Sequence, residues 1–196
     1  MPHGLANVRY RIGHEEHRGS GSGYHDHNWG DVPMQTLMHN WYWARASIGP
    51  YTVIASHITA TEAHGYETQI VYLLAKDGRI IADDDTKVSF EMDRIAIDGK
   101  TSKPVADVTR YIYNDDNTRY VVSFEREKTI LQAILTDRAP LLKRIIARLI
   151  GFDGAYHRFI GKVTIEKFEE GACVERLDSG AIWELMYFGK ARQLKA

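Results

Sequence analysis

The chain has 196 residues, a formal net charge of −1 and a pI near 6.8, and no clustered basic excess of the kind that nucleic acid requires. Hydrophobic residues make up 44% and aromatics 11%, enough for a sizeable core, while a lone cysteine, Cys173, excludes an internal disulfide framework and fits a reducing compartment. No apolar run reaches 18 residues and Met1-Pro2-His3-Gly4-Leu5 does not read as a signal peptide, so the expectation is a cytoplasmic protein without stable membrane insertion.

Period-two patterns dominate the rest. They predict strands at Asn7–Ile12, Met38–Ser47, Tyr51–Thr59, Tyr66–Ala75, Ile80–Phe90, Asp107–Tyr113, Tyr120–Glu127, Arg158–Phe168, Ala172–Leu177 and Ile182–Phe188. Turn signals separate them at Lys76-Asp77-Gly78, Asp98-Gly99-Lys100, Asn114-Asp115-Asp116-Asn117 and Asp178-Ser179-Gly180. Many short strands joined by polar turns predict an all-β, antiparallel sandwich or closed barrel. Aromatics such as Tyr111, Tyr113, Phe124 and Phe159 suit a wide interior. The expected organisation is one domain over 1–196, with 1–23 as a flexible N-terminal strand and a Gly/Ser hinge at Arg18–Gly23. One helix breaks the pattern near 140–150. Leu141, Leu142, Ile145, Ile146 and Leu149 recur at helical spacing with Lys143, Arg144 and Arg148 between them, Pro140 opens it and Gly151 ends it. A basic amphipathic helix can lie on a membrane; packing over a barrel wall or mouth is the expectation adopted. Cys173 reads as a packing residue in a turn that enters a strand.

The densest chemistry lies in Gly21-Ser22-Gly23-Tyr24-His25-Asp26-His27-Asn28-Trp29-Gly30. Extended backbone puts Tyr24, Asp26 and Asn28 on one face and His25, His27 and Trp29 on the other. One face then offers a carboxylate and acceptors, and the other offers proton-switchable rings beside an indole. The competing reading is scaffold: a surface hydrogen-bond network in which Gly23, Trp29 and Gly30 pin a corner and Asn28 caps a turn.

Two further clusters carry chemistry. On a strand, Trp41, Trp43 and Arg45 share a face, either as core aromatics with a salt-bridged arginine or as an aromatic wall with one cationic donor. Near the C-terminus, Glu184 and Met186 share a face opposite Trp183, Leu185 and Tyr187. An inward Glu184 would have a raised pKa and serve as a proton donor, and an outward one would be ordinary. No metal site is assigned: no spacing rule joins His57 or His64 to His25 and His27. No glycine-rich phosphate loop opens a helix, so no nucleotide cofactor is expected.

The runs Gly21-x-Gly23-Tyr24-His25-Asp26-His27-Asn28-Trp29-Gly30 and Trp41-x-Trp43-Ala44-Arg45-Ala46 resemble the lipocalin-like carotenoid 1,2-hydratases (hydroxyneurosporene synthases) and the fungal Diels–Alderases grouped with them. Gly49-Pro50-Tyr51-Thr52-Val53, Tyr156-x-Arg158-Phe159-x-Gly161 and Ile182-Trp183-Glu184-x-Met186-Tyr187-Phe188 extend the likeness from about Val8 to Gly189. The resemblance implies lipocalin-like β-barrels, two per protein, with an apolar pocket near their junction and no cofactor. This chain resembles the family's C-terminal half. That leaves a truncated protein, a stand-alone single barrel or a two-chain assembly, with a homodimer or a missing N-terminal domain as partner.

The hydratase branch implies a carboxylic acid that protonates an alkene, partly on the strand after Trp-x-Trp. Here that strand reads Val53-Ile54-Ala55-Ser56-His57-Ile58-Thr59, so the acid would fall to Asp26 or Glu184. A pericyclic reaction asks only for a mould and a polarising donor. The leading expectation is therefore a cofactor-free cyclase or pericyclase acting on a hydrophobic polyene, polyketide or terpenoid intermediate of secondary metabolism. Its catalytic candidates are Asp26, His27, Tyr24 and Arg45, with Asp26 orienting His27. Trp29, Asn28, Trp41, Trp43, His57, Glu184 and Met186 are the substrate-binding candidates. A hydratase or proton-initiated terpenoid cyclase with Asp26 as acid, and a non-enzymatic lipid or isoprenoid carrier, are the alternatives.

Overall fold

The computed structural model describes residues 2–137 and 139–191, the side chain of Arg148 excepted, and the chain divides into two compact units between Asp31 and Val32. In the first, β1 (Gly4–Ile12) and β2 (Glu15–Gly23) pair antiparallel without a register break, from Gly4 opposite Gly23 to Ile12 opposite Glu15. The run Arg18–Gly23, expected as a hinge, is thus strand. Glycine and serine carry no hydrophobic alternation, so the periodicity signal was silent there while the backbone still offered a full ladder. Glu16 ties the hairpin to Arg9 at 2.6 Å and Arg18 at 3.1 Å, and Tyr10 stacks on His17 at 5.1 Å.

The second unit holds α1 (Met34–Leu37), β3 (Met38–Ile48), β4 (Tyr51–Ala60), β5 (Thr68–Lys76), β6 (Arg79–Ala82), β7 (Val88–Ile97), β8 (Pro104–Asp115), β9 (Thr118–Ile134), α2 (Leu141–Leu149), β10 (Ala155–Glu169) and β11 (Ala172–Tyr187). Its nine strands form one antiparallel sheet in the order β6-β5-β4-β3-β11-β10-β9-β8-β7. The lipocalin-like antiparallel fold is as expected, with one correction: the sheet is open, because β6 and β7 at its ends are not hydrogen-bonded to each other. Side chains bridge what the backbone does not. His57 of β4 stacks on Phe90 of β7 at 4.1 Å, and Tyr72 of β5 stacks on Tyr113 of β8 at 6.0 Å.

Alternation explains the core. Tyr42, Ala44, Ala46 and Ile48 of β3 point inward and are buried, as are Phe159, Val163 and Ile165 of β10 and Trp183, Leu185 and Tyr187 of β11. The expected wide interior is instead filled: Phe90, Tyr111, Phe124, Trp183 and Phe159 contact one another in series at 4.9 to 6.4 Å. Each such aromatic stabilises the fold by about 1.5–3 kcal/mol through burial alone. Thr101 Oγ1 meets His157 Nε2 at 2.9 Å and Asp98 Oδ1 at 2.8 Å, which fastens the β7–β8 connection to β10.

Four local expectations are corrected. Ile80–Phe90 splits into β6 and the start of β7, because Asp84 accepts from the Thr86 amide and opens a short 3₁₀ turn there. Asp178-Ser179-Gly180 does not turn: β11 runs straight through it, with Asp178 held by Thr164 at 2.7 Å and Lys162 at 3.0 Å. Cys173 is exposed rather than packed. The helix near 140–150 forms as α2, but its apolar residues face solvent instead of covering the sheet. Among the described residues no helix is long and apolar enough to cross a membrane.

Candidate functional site

The side chains that alternation sends outward from β3, β11 and β10 meet in one place. Cross-strand partners in an antiparallel pair share a face. Glu184 lies opposite Trp43, Met186 opposite Trp41 and Ile182 opposite Arg45. On the next strand, Arg158 lies opposite Glu184 and Tyr156 opposite Met186. Two stretches about 140 residues apart thereby become one half-buried aromatic and polar surface on the outer face of the sheet.

The polar centre of that surface is Glu184. The Tyr156 hydroxyl donates to its Oε2 at 2.6 Å, and the Arg158 guanidinium lies 3.6 Å from the same oxygen and 5.9 Å from the Tyr156 ring centre. Burial, then the bond to Glu184, pushes the Tyr156 phenol up to about 12. At neutral pH that phenol is a donor and not a base. Arg45 stands on the same face and its guanidinium reaches Ser47 Oγ at 3.4 Å, while Trp41 meets Phe188 edge-on at 5.2 Å. An aromatic floor beside the Arg45 and Arg158 guanidinium groups can hold a flat or unsaturated molecule and stabilise negative charge growing on one oxygen.

Glu184 is therefore outward-facing, and Trp41, Trp43 and Arg45 line the outside of the sheet rather than its interior. His57 is separated from them: it faces inward opposite Tyr42 and against Phe90, where burial lowers it to about 4 and Nδ1 has no hydrogen-bond partner among the described residues. Tyr24, Asp26, His27, Asn28 and Trp29 belong to the first unit, in irregular chain after β2. Tyr24 is half-buried and the other four are exposed. The Asp26 carboxylate accepts from Asn28 Nδ2 at 3.2 Å. Tyr156 and Arg158 were absent from the sequence-derived site set. Their signal was present in the Tyr156-x-Arg158 spacing, which mirrors Glu184-x-Met186, but only the β10–β11 register shows that the two pairs coincide. Among the described residues no three His, Cys, Asp or Glu side chains group to hold a metal ion.

Fold and face together define an antiparallel, lipocalin-like β protein with an aromatic and polar surface on one outer sheet face. A family model described as Diels-Alderase-like matches residues 1–133, and the chain belongs to that family. It is 29% identical over 66 residues to the quinolone epoxide rearrangement protein asqO of Emericella nidulans, a stretch covering 34% of this chain and 18% of that protein. It is 30% identical over 54 residues to the quinolone epoxide rearrangement protein penF of Penicillium thymicola, covering 28% and 15%. Among solved structures it is similar to CghA, with a TM-score of 0.63 and 13% identity, covering 96% of this chain and 52% of CghA. An AttH-type protein of Nitrosomonas europaea gives 0.57 and 14%, covering 96% and 51%. The chain spans about half the length of these solved structures, and its matches span under a fifth of the two named relatives.

Proposed function

We propose that the protein is a cofactor-free cyclase or pericyclase that folds and polarises a hydrophobic polyene, polyketide or terpenoid intermediate of secondary metabolism. The observation that carries this reading is the register that sets Trp41, Trp43 and Arg45 beside Glu184, Met186, Tyr156 and Arg158. Trp41 and Trp43 bind the unsaturated part of the substrate, and Met186 adapts to its shape. Arg45 hydrogen-bonds to the oxygen that gains charge, and the Tyr156 hydroxyl, donated to Glu184, fixes that carboxylate beside Arg158. The catalytic gain is orientation plus charge stabilisation, with no net proton transfer. The family and the rearrangement proteins it resembles support the reaction class, and a quinolone epoxide is the first substrate to assay.

The test is product formation above the uncatalysed background, followed by mass spectrometry from about pH 5 to 9. A nearly flat profile that collapses in Trp43→Ala supports the pericyclase. A bell-shaped profile assigns the proton-initiated hydratase or cyclase instead. Substrate bound but never converted, with the same affinity in Tyr156→Phe, makes the protein a carrier. Asp26, His27, Asn28 and Trp29 are tested on their own. Trp29 is 83% exposed, so Trp29→Ala leaves the fold intact, within about 0.5 kcal/mol, and lost turnover then assigns the indole to substrate.

A further inference from the structure

The largest feature that the proposed reaction leaves unused is α2. At 100° per residue, Leu141, Ile145, Leu149, Leu142, Ile146 and Ile150 fill one half of the helix circumference. All six are exposed, Leu141 at 72%, Leu142 at 69%, Leu149 at 81% and Ile150 at 73%. The excursion that carries them is closed at its base, where the Leu135 amide donates to the Gly154 carbonyl at 2.9 Å, and Leu131 and Leu135 are exposed there too. The other half of the helix carries Lys143 and Arg144. From Arg138 to Phe152 the sequence has four basic residues and no acidic one, within a chain whose net charge is −1.

We propose that α2 is an interfacial anchor that docks the protein reversibly on an anionic membrane surface. Its apolar arc enters the boundary of the acyl chains, and Lys143 and Arg144 meet the headgroup phosphates. Charge selects this occupant. A second copy would bring two basic helices together, whereas a phosphate-rich surface is complementary to one. Nine residues are too short to span a bilayer and suffice to lie in its interface. One such helix gives weak, salt-sensitive binding, which suits an enzyme that visits a membrane to collect an apolar substrate. Only that last purpose rests on the proposed function; the docking does not.

The experiment is flotation of the full chain with vesicles of phosphatidylcholine alone or with about 30% phosphatidylglycerol. Binding is expected to be at least about tenfold stronger to the anionic vesicles, and to weaken about tenfold between roughly 50 and 500 mM NaCl. Leu142→Glu/Ile146→Glu should abolish it, and Lys143→Glu/Arg144→Glu should abolish the preference for anionic lipid. Leu142, Lys143 and Ile146 are exposed and Arg144 is half-buried, so an unchanged Tm confirms that both variants fold. Vesicle binding that survives Leu142→Glu/Ile146→Glu, or no binding to either vesicle, overturns the proposal. So does a dimer in lipid-free solution that Leu142→Glu/Ile146→Glu converts to monomer, since the arc then belongs to a second copy. Turnover of a water-soluble substrate by Leu142→Glu/Ile146→Glu should equal wild type, which separates failure of the anchor from failure of the cyclase reading.

Discussion

Strands β10 and β11 cross two regions of the same outer surface. Toward one end their outward residues are Tyr156, Arg158 and Ile160 against Met186, Glu184 and Ile182, beside Trp41 and Trp43. Toward the other they are Lys162, Thr164 and Glu166 against Gly180, Asp178 and Arg176. The register is common to both. The second region resolves itself into pairs: Arg176 binds Glu166 at 2.9 Å, Lys162 binds Asp178 at 3.0 Å, and a groove of about 230 Å³ between Arg110, Glu125 and Arg176 is lined mainly by charged and polar side chains, with Val108 among them. Water is a sufficient partner for it. The first region sets aromatic area around a carboxylate held by the Tyr156 hydroxyl and the Arg158 guanidinium, a combination suited to an unsaturated, polar ligand. The β10–β11 ladder runs unbroken through both, and side-chain chemistry separates a solvated wall from a binding surface.

The strongest way to break this comparison is at Gly161, where the two regions join. A Cβ there would lie 2.1 Å from the Glu125 carbonyl oxygen and 2.8 Å from the Glu127 amide, at a bulge in the β9–β10 pairing. Gly161→Ala should cost about 3–5 kcal/mol in chemical denaturation, because backbone and not a flexible side chain must move.

Next in size is a pH effect from the inner side of the sheet. His57 is held near 4 by burial, below its unfolded value of about 6.5, so the unfolded chain takes up the proton first. Its contribution is complete above about pH 6.5 and is lost as pH falls toward 4, by up to about 3 kcal/mol, less to the extent that water reaches the ring. His157 is shifted the same way by burial, so His57→Phe should flatten part of the acid slope measured by denaturation and leave the remainder.

A smaller effect on stability with a larger one on chemistry is expected in the aromatic region. Tyr156→Phe and Glu184→Gln should each lower turnover about tenfold or more while costing no more than about 1 kcal/mol of stability. The same loss of turnover after Arg176→Ala would erase the distinction between the regions. That variant should be nearly silent, within about 0.5 kcal/mol and with unchanged turnover, as an exposed ion pair warrants.

Much of this protein was legible in its residues. The alternation in Trp41-Tyr42-Trp43-Ala44-Arg45 and in Trp183-Glu184-Leu185-Met186 fixed which side chains share a face, since strand periodicity is local. The heptad-like spacing after Pro140 marked α2. Strand β2 escaped because Gly19, Gly21 and Gly23 carry no hydrophobic signal, and the apparent turn at Asp178–Gly180 misled because its polar residues are satisfied across the sheet.

What only the tertiary structure decided is which face points inward. Both faces of β3 and β11 carry aromatic residues, so local hydrophobicity is nearly symmetric and cannot choose between them. The choice is made by pairing β3 with β11 and β11 with β10, partners far apart in sequence, which places Trp183, Phe159 and Phe124 together inside. Once those rings close on one another, Trp43, Glu184 and Tyr156 have only the outer face left, because one-residue alternation forbids both sets from sharing a side.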